Sequence, residues 1–220
     1  MTEMNFETAR HNMIEQQIKP WNVIDPIALE ALENIPREDF VADNLRESAF
    51  TDCELPLDCK QSMLAPKIEA KILQAVQVKK TDSVLEIGTG SGYMTALLAH
   101  LADNVQSIEV HAELSQSAEK KLHQAEIENV NLVIDDATQA DLEEAAYDVI
   151  ILTGSVPQLA ENFKQSLKLN GRLFAVIGQA PIMTATLITK ISADQFSYEE
   201  LFETHIPPLE NSIITESFSL

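Results

Sequence analysis

Three glycines stand close together in the stretch VLEIGTGSGY, residues 84–93. The whole chain has six glycines, and Gly88, Gly90 and Gly92 are three of them. Glycine loses more conformational freedom on folding than any other residue, so this crowding indicates that something must approach the backbone closely. The flanking residues predict a strand before the glycines and a helix after them. The free N–H groups at the start of that helix could bind a small ligand.

The spacing of the glycines indicates which ligand. A dinucleotide site would read G-x-G-x-x-G, but Tyr93 stands where its third glycine would be. The observed pattern is E-x-G-x-G-x-G, with Glu86 two residues before Gly88. It resembles the first motif of class I S-adenosylmethionine (SAM)-dependent methyltransferases. We therefore expect SAM as the cofactor, and a nicotinamide oxidoreductase is the less favoured alternative.

Acidic residues at the ends of the next two predicted strands extend the candidate site. Glu109 ends the second strand, where a carboxylate can accept hydrogen bonds from both hydroxyls of an adenosine ribose. Asp136 ends the third strand, where methyltransferases of this class place residues around the adenine; the alternative is an ordinary acidic loop residue. The predicted cofactor-binding residues are Glu86, Gly88, Thr89, Gly90, Gly92, Glu109, Val110, Asp136 and Ala137.

Alternating strands and helices must position these residues. From residue 80 onward, short apolar runs alternate with helical segments, which predicts an α/β doubly wound, mostly parallel sheet. Two further strands near the C-terminus are expected to form an antiparallel pair at its edge. Before residue 80 the chain predicts helices at 6–18, after Asp25-Pro26 and after Pro66. We expect a single domain, 1–220, with a helical N-terminal segment and substrate loop at 1–79 and a SAM-binding core at 80–220.

Composition excludes several kinds of partner. The formal net charge is −20, from 15 basic and 35 acidic residues, which argues against nucleic acid and anionic membranes. The sequence shows neither a secretory signal nor a transmembrane run. Cys53 and Cys59 are too few for a disulfide framework, and the five histidines lack metal-site spacing, so no metal is expected. We therefore expect a cytoplasmic protein and make no prediction of its oligomeric state.

Segments outside the glycine motif give a more specific resemblance. RHNMIEQQI, VIDPIALEALENIPREDFV and SAFTD are similar to the N-terminal segments of the protein-L-isoaspartate O-methyltransferase family. VLEIGTGSGYMTALLAHL and the stretch from YDVIILTG to FAVIG are similar to its glycine motif and to its fourth and fifth strands. The resemblance implies a SAM-dependent O-methyltransferase that methylates the free carboxylate of isoaspartyl residues in damaged proteins.

The substrate loop departs from that family's pattern. The family carries G-x-G-Q-T-I-S-Q-P, whose serine hydroxyl lies beside the reacting carboxylate, and the corresponding stretch here is LDCKQSMLAP. Alignment on Gln61 and Pro66 places Ser62 at the threonine position and Leu64 at the serine position. Leucine cannot donate a hydrogen bond, so Ser62 is the candidate catalytic residue and Leu64 is expected to weaken isoaspartyl methylation. The alternatives are another carboxylate or small-molecule acceptor, or a non-catalytic protein that binds SAM or S-adenosylhomocysteine.

Overall fold

A computed structural model describes residues 4–212. Its strands run in chain order as β1 Leu55–Pro56, β2 Ser62–Met63, β3 Ser83–Ile87, β4 Asn104–Glu109, β5 Val130–Ile134, β6 Tyr147–Val156, β7 Leu167–Gln179, β8 Ile182–Lys190 and β9 Phe196–Glu203. Strands β3 to β9 form one seven-stranded sheet in the order β5-β4-β3-β6-β7-β8-β9. The pairs from β5 to β7 are parallel, whereas β8 and β9 are antiparallel to their neighbours. The predicted doubly wound fold with an antiparallel C-terminal pair is confirmed.

Six α-helices accompany the strands in the described residues. They are α1 Phe6–Met13, α2 Pro26–Asn34, α3 Pro66–Val76, α4 Tyr93–Leu101, α5 Ala112–Gln124 and α6 Glu161–Gln165. The helix predicted at 6–18 continues beyond α1 as a π-helical turn, Ile14–Ile18. Asp25 accepts a hydrogen bond from the Ile27 N–H and so caps α2, as the sequence indicated. The last helix, α6, has only five residues, and β7 begins soon after it at Leu167.

The alternation of side chains along β6 explains how one sheet supports two cores. Val149 and Ile151 belong to one buried cluster, and Ile150 and Leu152 belong to another, since successive residues of a strand point to opposite faces. The first cluster also includes buried residues of α1, α2, α3 and α4. The N-terminal helices thus share a core with the sheet, and the single domain stays a prediction.

No helix within residues 4–212 is long and apolar enough to cross a membrane.

The sheet order reverses at β3, which lies between β4 and β6. In open α/β sheets, ligands bind in the crevice outside the carboxyl ends of the strands at such a reversal point. The glycine motif directly follows β3 and therefore lies at this position.

Candidate active site

The glycine turn has a backbone that other residues would not readily adopt. Gly88, Gly90 and Gly92 have φ angles of 96°, 53° and 84°, in the left-handed region that favours glycine. A Cβ on Gly88 would lie 2.3 Å from the Thr153 hydroxyl oxygen, and one on Gly92 would lie 3.0 Å from the Ala118 Cβ. The Cβ position of Gly90 meets only the flexible end of Leu57, at 3.3 Å. The turn thus packs tightly at its ends and is most open at its centre.

Glu86 lies beneath this turn and is fully buried. Its Oε2 accepts hydrogen bonds from the hydroxyls of Thr95 and Ser107, the latter at 2.6 Å. Among the described residues its Oε1 has no hydrogen-bond partner. Burial raises the pKa of Glu86 to about 8, although the two hydroxyl donors act in the opposite direction. Glu86 is therefore protonated at neutral pH and supports the turn from below.

Glu109, at the end of β4, is joined to the turn by its carboxylate. Its Oε2 accepts a hydrogen bond from the Gly90 N–H at 2.9 Å, and its Oε1 accepts one from the His111 N–H at 3.0 Å. Each carboxylate oxygen can accept more than one hydrogen bond, so both retain capacity for hydroxyl donors of a ligand. The next residue, Val110, is 38% exposed and offers an apolar surface beside this carboxylate.

Asp136 follows β5 and organises the loop there. Its Oδ1 accepts hydrogen bonds from the N–H and the hydroxyl of Thr138, at 3.0 and 2.7 Å. Its Oδ2 accepts one from the side-chain amide of Asn211 at 3.0 Å. The neighbouring Ala137 is buried. Asp136 therefore connects the loop after β5 to the last part of the described chain.

The loop that carries Ser62 and Leu64 is held by a buried arginine. The Arg37 side chain is fully buried; its guanidinium donates to the Leu64 carbonyl at 2.7 Å, forms an ion pair with Glu69, and lies over the Tyr93 ring. The Leu64 side chain is also buried. The Ser62 hydroxyl donates to the Glu54 carboxylate at 3.1 Å.

A segment after β9 covers the other side of the turn. Ser155 exchanges backbone hydrogen bonds with this segment, donating to the Pro207 carbonyl at 2.8 Å and accepting from the Leu209 N–H at 2.9 Å. The Leu209 side chain packs against Gly154, where an added Cβ would come within 2.8 Å of it. Farther along, Glu210 accepts a hydrogen bond from Gln61 at 3.0 Å, and its carboxylate lies 3.1 Å from the His111 ring.

These parts line one cleft that is open to solvent. Several of the predicted cofactor-binding residues line it together, namely Gly88, Thr89, Gly90, Glu109, Val110, Asp136 and Ala137. Ser62 and Leu64 line it as well. The described lining contains carboxylates but neither lysine nor arginine, so the cleft favours a ligand that carries hydroxyl groups and positive charge.

The family model for protein-L-isoaspartate(D-aspartate) O-methyltransferases matches residues 8–212. The chain belongs to this family. A protein-L-isoaspartate O-methyltransferase of Syntrophus aciditrophicus is 39% identical over 86% of this chain and 87% of its own length. One from Protochlamydia amoebophila is 36% identical over 90% of this chain and 94% of its own.

Solved structures of the same family agree in fold. A Plasmodium falciparum protein assigned to the family, crystallised with S-adenosyl-L-homocysteine, matches with a TM-score of 0.80 and 20% identity, covering 96% of this chain and all of its own. A second protein-L-isoaspartate O-methyltransferase has the same TM-score and 25% identity, covering 92% of this chain and 66% of its own. The predicted family, fold class, SAM cofactor and O-methyltransferase class are confirmed, and the oxidoreductase alternative is wrong.

Two predicted cofactor residues, Glu86 and Gly92, do not line the cleft. Glu86 is buried beneath the turn, and Gly92 packs against α5 at Ala118. Direct contact of Glu86 and Gly92 with SAM stays a prediction. Their positions outside the cleft lining do not support it. Their observed contacts shape the turn instead.

Sequence reasoning missed four residues that hold or close the cleft. Arg37 lies within a segment that resembles the family, but arginine is mostly exposed in proteins, so the sequence gives no signal of its burial. The five histidines lack metal-site spacing, so the sequence gives no reason to single out His111. Gln61 and Glu210 are 149 residues apart, and no local pattern predicts their contact.

Proposed function

We propose that this chain transfers the methyl group of SAM to the free carboxylate of isoaspartyl residues in damaged proteins, as a first step of repair. One observation carries the proposal. A single cleft contains both the turn and carboxylate predicted to hold the cofactor and the loop that resembles the family's substrate loop. Family membership supports the same reaction.

The cofactor half of the cleft suits SAM in shape and charge. Three glycines with positive φ remove side chains from the turn, and the Glu109 carboxylate has oxygens available for the ribose hydroxyls. Val110 and Ala137 offer apolar surface for the adenine. The carboxylates that line the cleft attract SAM, which carries a net positive charge, more strongly than S-adenosylhomocysteine, whose sulfur is uncharged. This difference would assist release of the product.

When bound, SAM supplies an electrophilic methyl group on its sulfonium centre. The acceptor carboxylate is already ionised at neutral pH, so no side chain has to remove a proton from it. The protein must therefore align the two reactants and exclude water, and correct positioning can lower a barrier by roughly 7 to 11 kcal/mol. The buried loop at Leu64 and the covering segment at Leu209 are placed to perform both tasks.

The acceptor half differs from the family's pattern at Leu64. Its side chain cannot donate to the acceptor carboxylate, and the Ser62 hydroxyl already donates to Glu54. Glu54 also brings a negative charge next to Ser62, which opposes the approach of a second carboxylate. We infer that isoaspartyl acceptors bind here more weakly than they would beside a serine at residue 64, and that Ser62 contributes little to catalysis.

The test is transfer of labelled methyl from SAM to an isoaspartyl peptide, with the matched normal aspartyl peptide as control. We expect the isoaspartyl peptide to be labelled and the aspartyl peptide to remain unlabelled. Equal labelling of both peptides would refute isoaspartyl specificity. If neither is labelled while S-adenosylhomocysteine still binds, the chain methylates a different acceptor or binds the cofactor without catalysis, and the proposed function is overturned.

A further inference from the structure

Three metal-ligating side chains converge at the mouth of the cleft, on the side of the acceptor loop. They are Cys59, which lies in the short turn between β1 and β2, and His111 and Glu113 at the start of α5. One ligand atom from each lies within 4.8 Å of the other two. The Cys59 sulfur is 3.8 Å from a Glu113 carboxylate oxygen. We propose that Cys59, His111 and Glu113 form a zinc-binding site.

The donor atoms suit zinc in type and spacing. Thiolate, imidazole and carboxylate are the three protein ligands that Zn²⁺ uses, at about 2.0 to 2.3 Å from the metal. Ligand atoms arranged tetrahedrally at those distances are roughly 3.5 Å apart. The Cys59–Glu113 separation is already near that value, so small side-chain rotations complete the geometry.

Glu210 completes the surroundings of the site. Its carboxylate lies 3.1 Å from Nε2 of His111. Histidines that bind a metal through one nitrogen commonly donate the other N–H to a carboxylate, which orients the ring. Glu210 serves in that way when the metal takes Nδ1, because its carboxylate then accepts from the other ring nitrogen of His111.

The local charge also favours a cation. The Glu113 carboxylate lies 3.8 Å from the Cys59 sulfur, and the carboxylates of Glu109 and Glu210 contact His111. A divalent ion offsets these negative charges and stabilises the thiolate. Binding therefore releases the thiol proton to solvent as the Zn–S bond forms.

Zinc at this position would fasten the acceptor loop. Cys59 and Lys60 both have positive φ angles, 58° and 61°, so the loop there is held in a conformation of higher energy. The metal would join this loop to the start of α5, and Gln61 of the loop and His111 before α5 both line the cleft. On the basis of the proposed function, we infer that bound zinc closes the acceptor's entrance and inhibits methyl transfer.

The test is a titration of the metal-free, reduced protein with Co²⁺, a spectroscopic substitute for zinc. We expect one equivalent to produce a thiolate-to-cobalt charge-transfer band, which added Zn²⁺ removes. Cys59→Ser should abolish the band, and the control Cys53→Ser, which changes the exposed second cysteine, should keep it. Likewise, His111→Ala should lose it and His123→Ala, farther along α5, should keep it.

Zinc affinity and activity give independent readouts. We expect Cys59→Ser to weaken zinc binding by at least about tenfold, and to remove zinc inhibition of methyl transfer. A wild-type protein with no such band, or two cysteine variants that titrate alike, would overturn the zinc site. S-adenosylhomocysteine binding by the metal-free protein is measured separately. Its absence beside an intact cobalt band would count against the proposed function and leave the zinc site standing.

Discussion

The Arg37 guanidinium donates a hydrogen bond to the Leu64 carbonyl at 2.7 Å, so a fully buried cation fixes the backbone of the acceptor loop. The same guanidinium donates to the Ala49 carbonyl at 2.9 Å and forms an ion pair with Glu69. Its Cζ lies over the ring of Tyr93, the first residue of α4, at 5.1 Å from the ring centre. One side chain thus connects the N-terminal segment, the acceptor loop and the helix after the glycine turn.

Removal of this cation should destabilise the protein strongly. Arg37→Met leaves the Glu69 carboxylate buried without its partner, and breaking a buried pair costs about 3 to 5 kcal/mol. Arg46→Met is the matched control, because its ion pair with Asp39 is exposed and should contribute at most about 1 kcal/mol. Denaturant unfolding measures both changes. Equal losses in the two variants would show that Arg37 has no special structural role.

The negative charge of Glu69, the ion-pair partner of Arg37, can be removed together with the cation. In the double variant Arg37→Met/Glu69→Leu no buried charge is left unpaired, so we expect recovery of much of the free energy of unfolding. The Leu64 carbonyl still loses its donor in this variant. We therefore expect the KM of the double variant for the isoaspartyl peptide to be higher than that of the wild type, even though its stability is restored. A normal KM in the double variant would mean that Arg37 acts only on stability.

Leu64→Ser should improve the reaction with isoaspartyl acceptors. A serine hydroxyl there can donate to the acceptor carboxylate, and a hydrogen bond to a charged group contributes about 1.5 to 3 kcal/mol, or roughly 10- to 100-fold in kcat/KM. Leu55→Ser is the control, since Leu55 is a buried leucine of β1 that does not line the cleft. Labelled methyl transfer provides the measurement. An unchanged kcat/KM in Leu64→Ser would contradict the role assigned to this position.

Glu109 should determine cofactor affinity. We expect Glu109→Ala to weaken S-adenosylhomocysteine binding by about 10- to 100-fold, because two hydroxyl donors of the ribose would lose their acceptor. Glu119→Gln, an exposed residue on α5, is the control and should bind as the wild type does. Isothermal titration calorimetry distinguishes the two. Undiminished affinity in Glu109→Ala would place the ribose elsewhere.

Glu86 should make stability depend on pH. Its pKa is about 8 in the folded protein and lies near 4.5 when unfolded, so the folded state holds one more proton between those values. Stability from this group is therefore full below about pH 4.5 and is lost as the pH rises through about 8, by up to about 1.4 kcal/mol per unit. Glu86→Gln keeps a neutral side chain at every pH. The stability advantage of Glu86→Gln over the wild type should grow between about pH 5 and pH 8, whereas a constant difference would rule out the raised pKa.

The fold and the cofactor half of the site could be predicted because their signals are local. Strand and helix periodicity identified β3 and α4, and the glycines between them need only their own backbone conformation to be recognised. Glu109 was found because the end of β4 follows at a regular distance along the chain. The same motif predicts Glu86 as a cofactor residue, although its side chain is fully buried and accepts hydrogen bonds from Thr95 and Ser107.

The acceptor half of the site could not be predicted, because it depends on contacts between segments that are distant in sequence. The periodicity of strands and helices does not show such contacts. The contact of Arg37 with Leu64, and that of Cys59 with Glu113, are formed only when loops from separate regions meet at the cleft. His111 looked like an isolated surface residue because its nearest ligating neighbours in space include Cys59, far away in sequence. Such sites become visible only in three dimensions.

The hydrogen bonds of Ser155 with the Pro207–Leu209 segment have a consequence for biosynthesis. On the ribosome the glycine turn emerges well before the residues that cover it, since the covering segment follows the last strand of the sheet. A nascent chain that has completed β6 still lacks one wall of the cleft. We therefore expect tight cofactor retention to begin only after the Pro207–Leu209 segment has been synthesised.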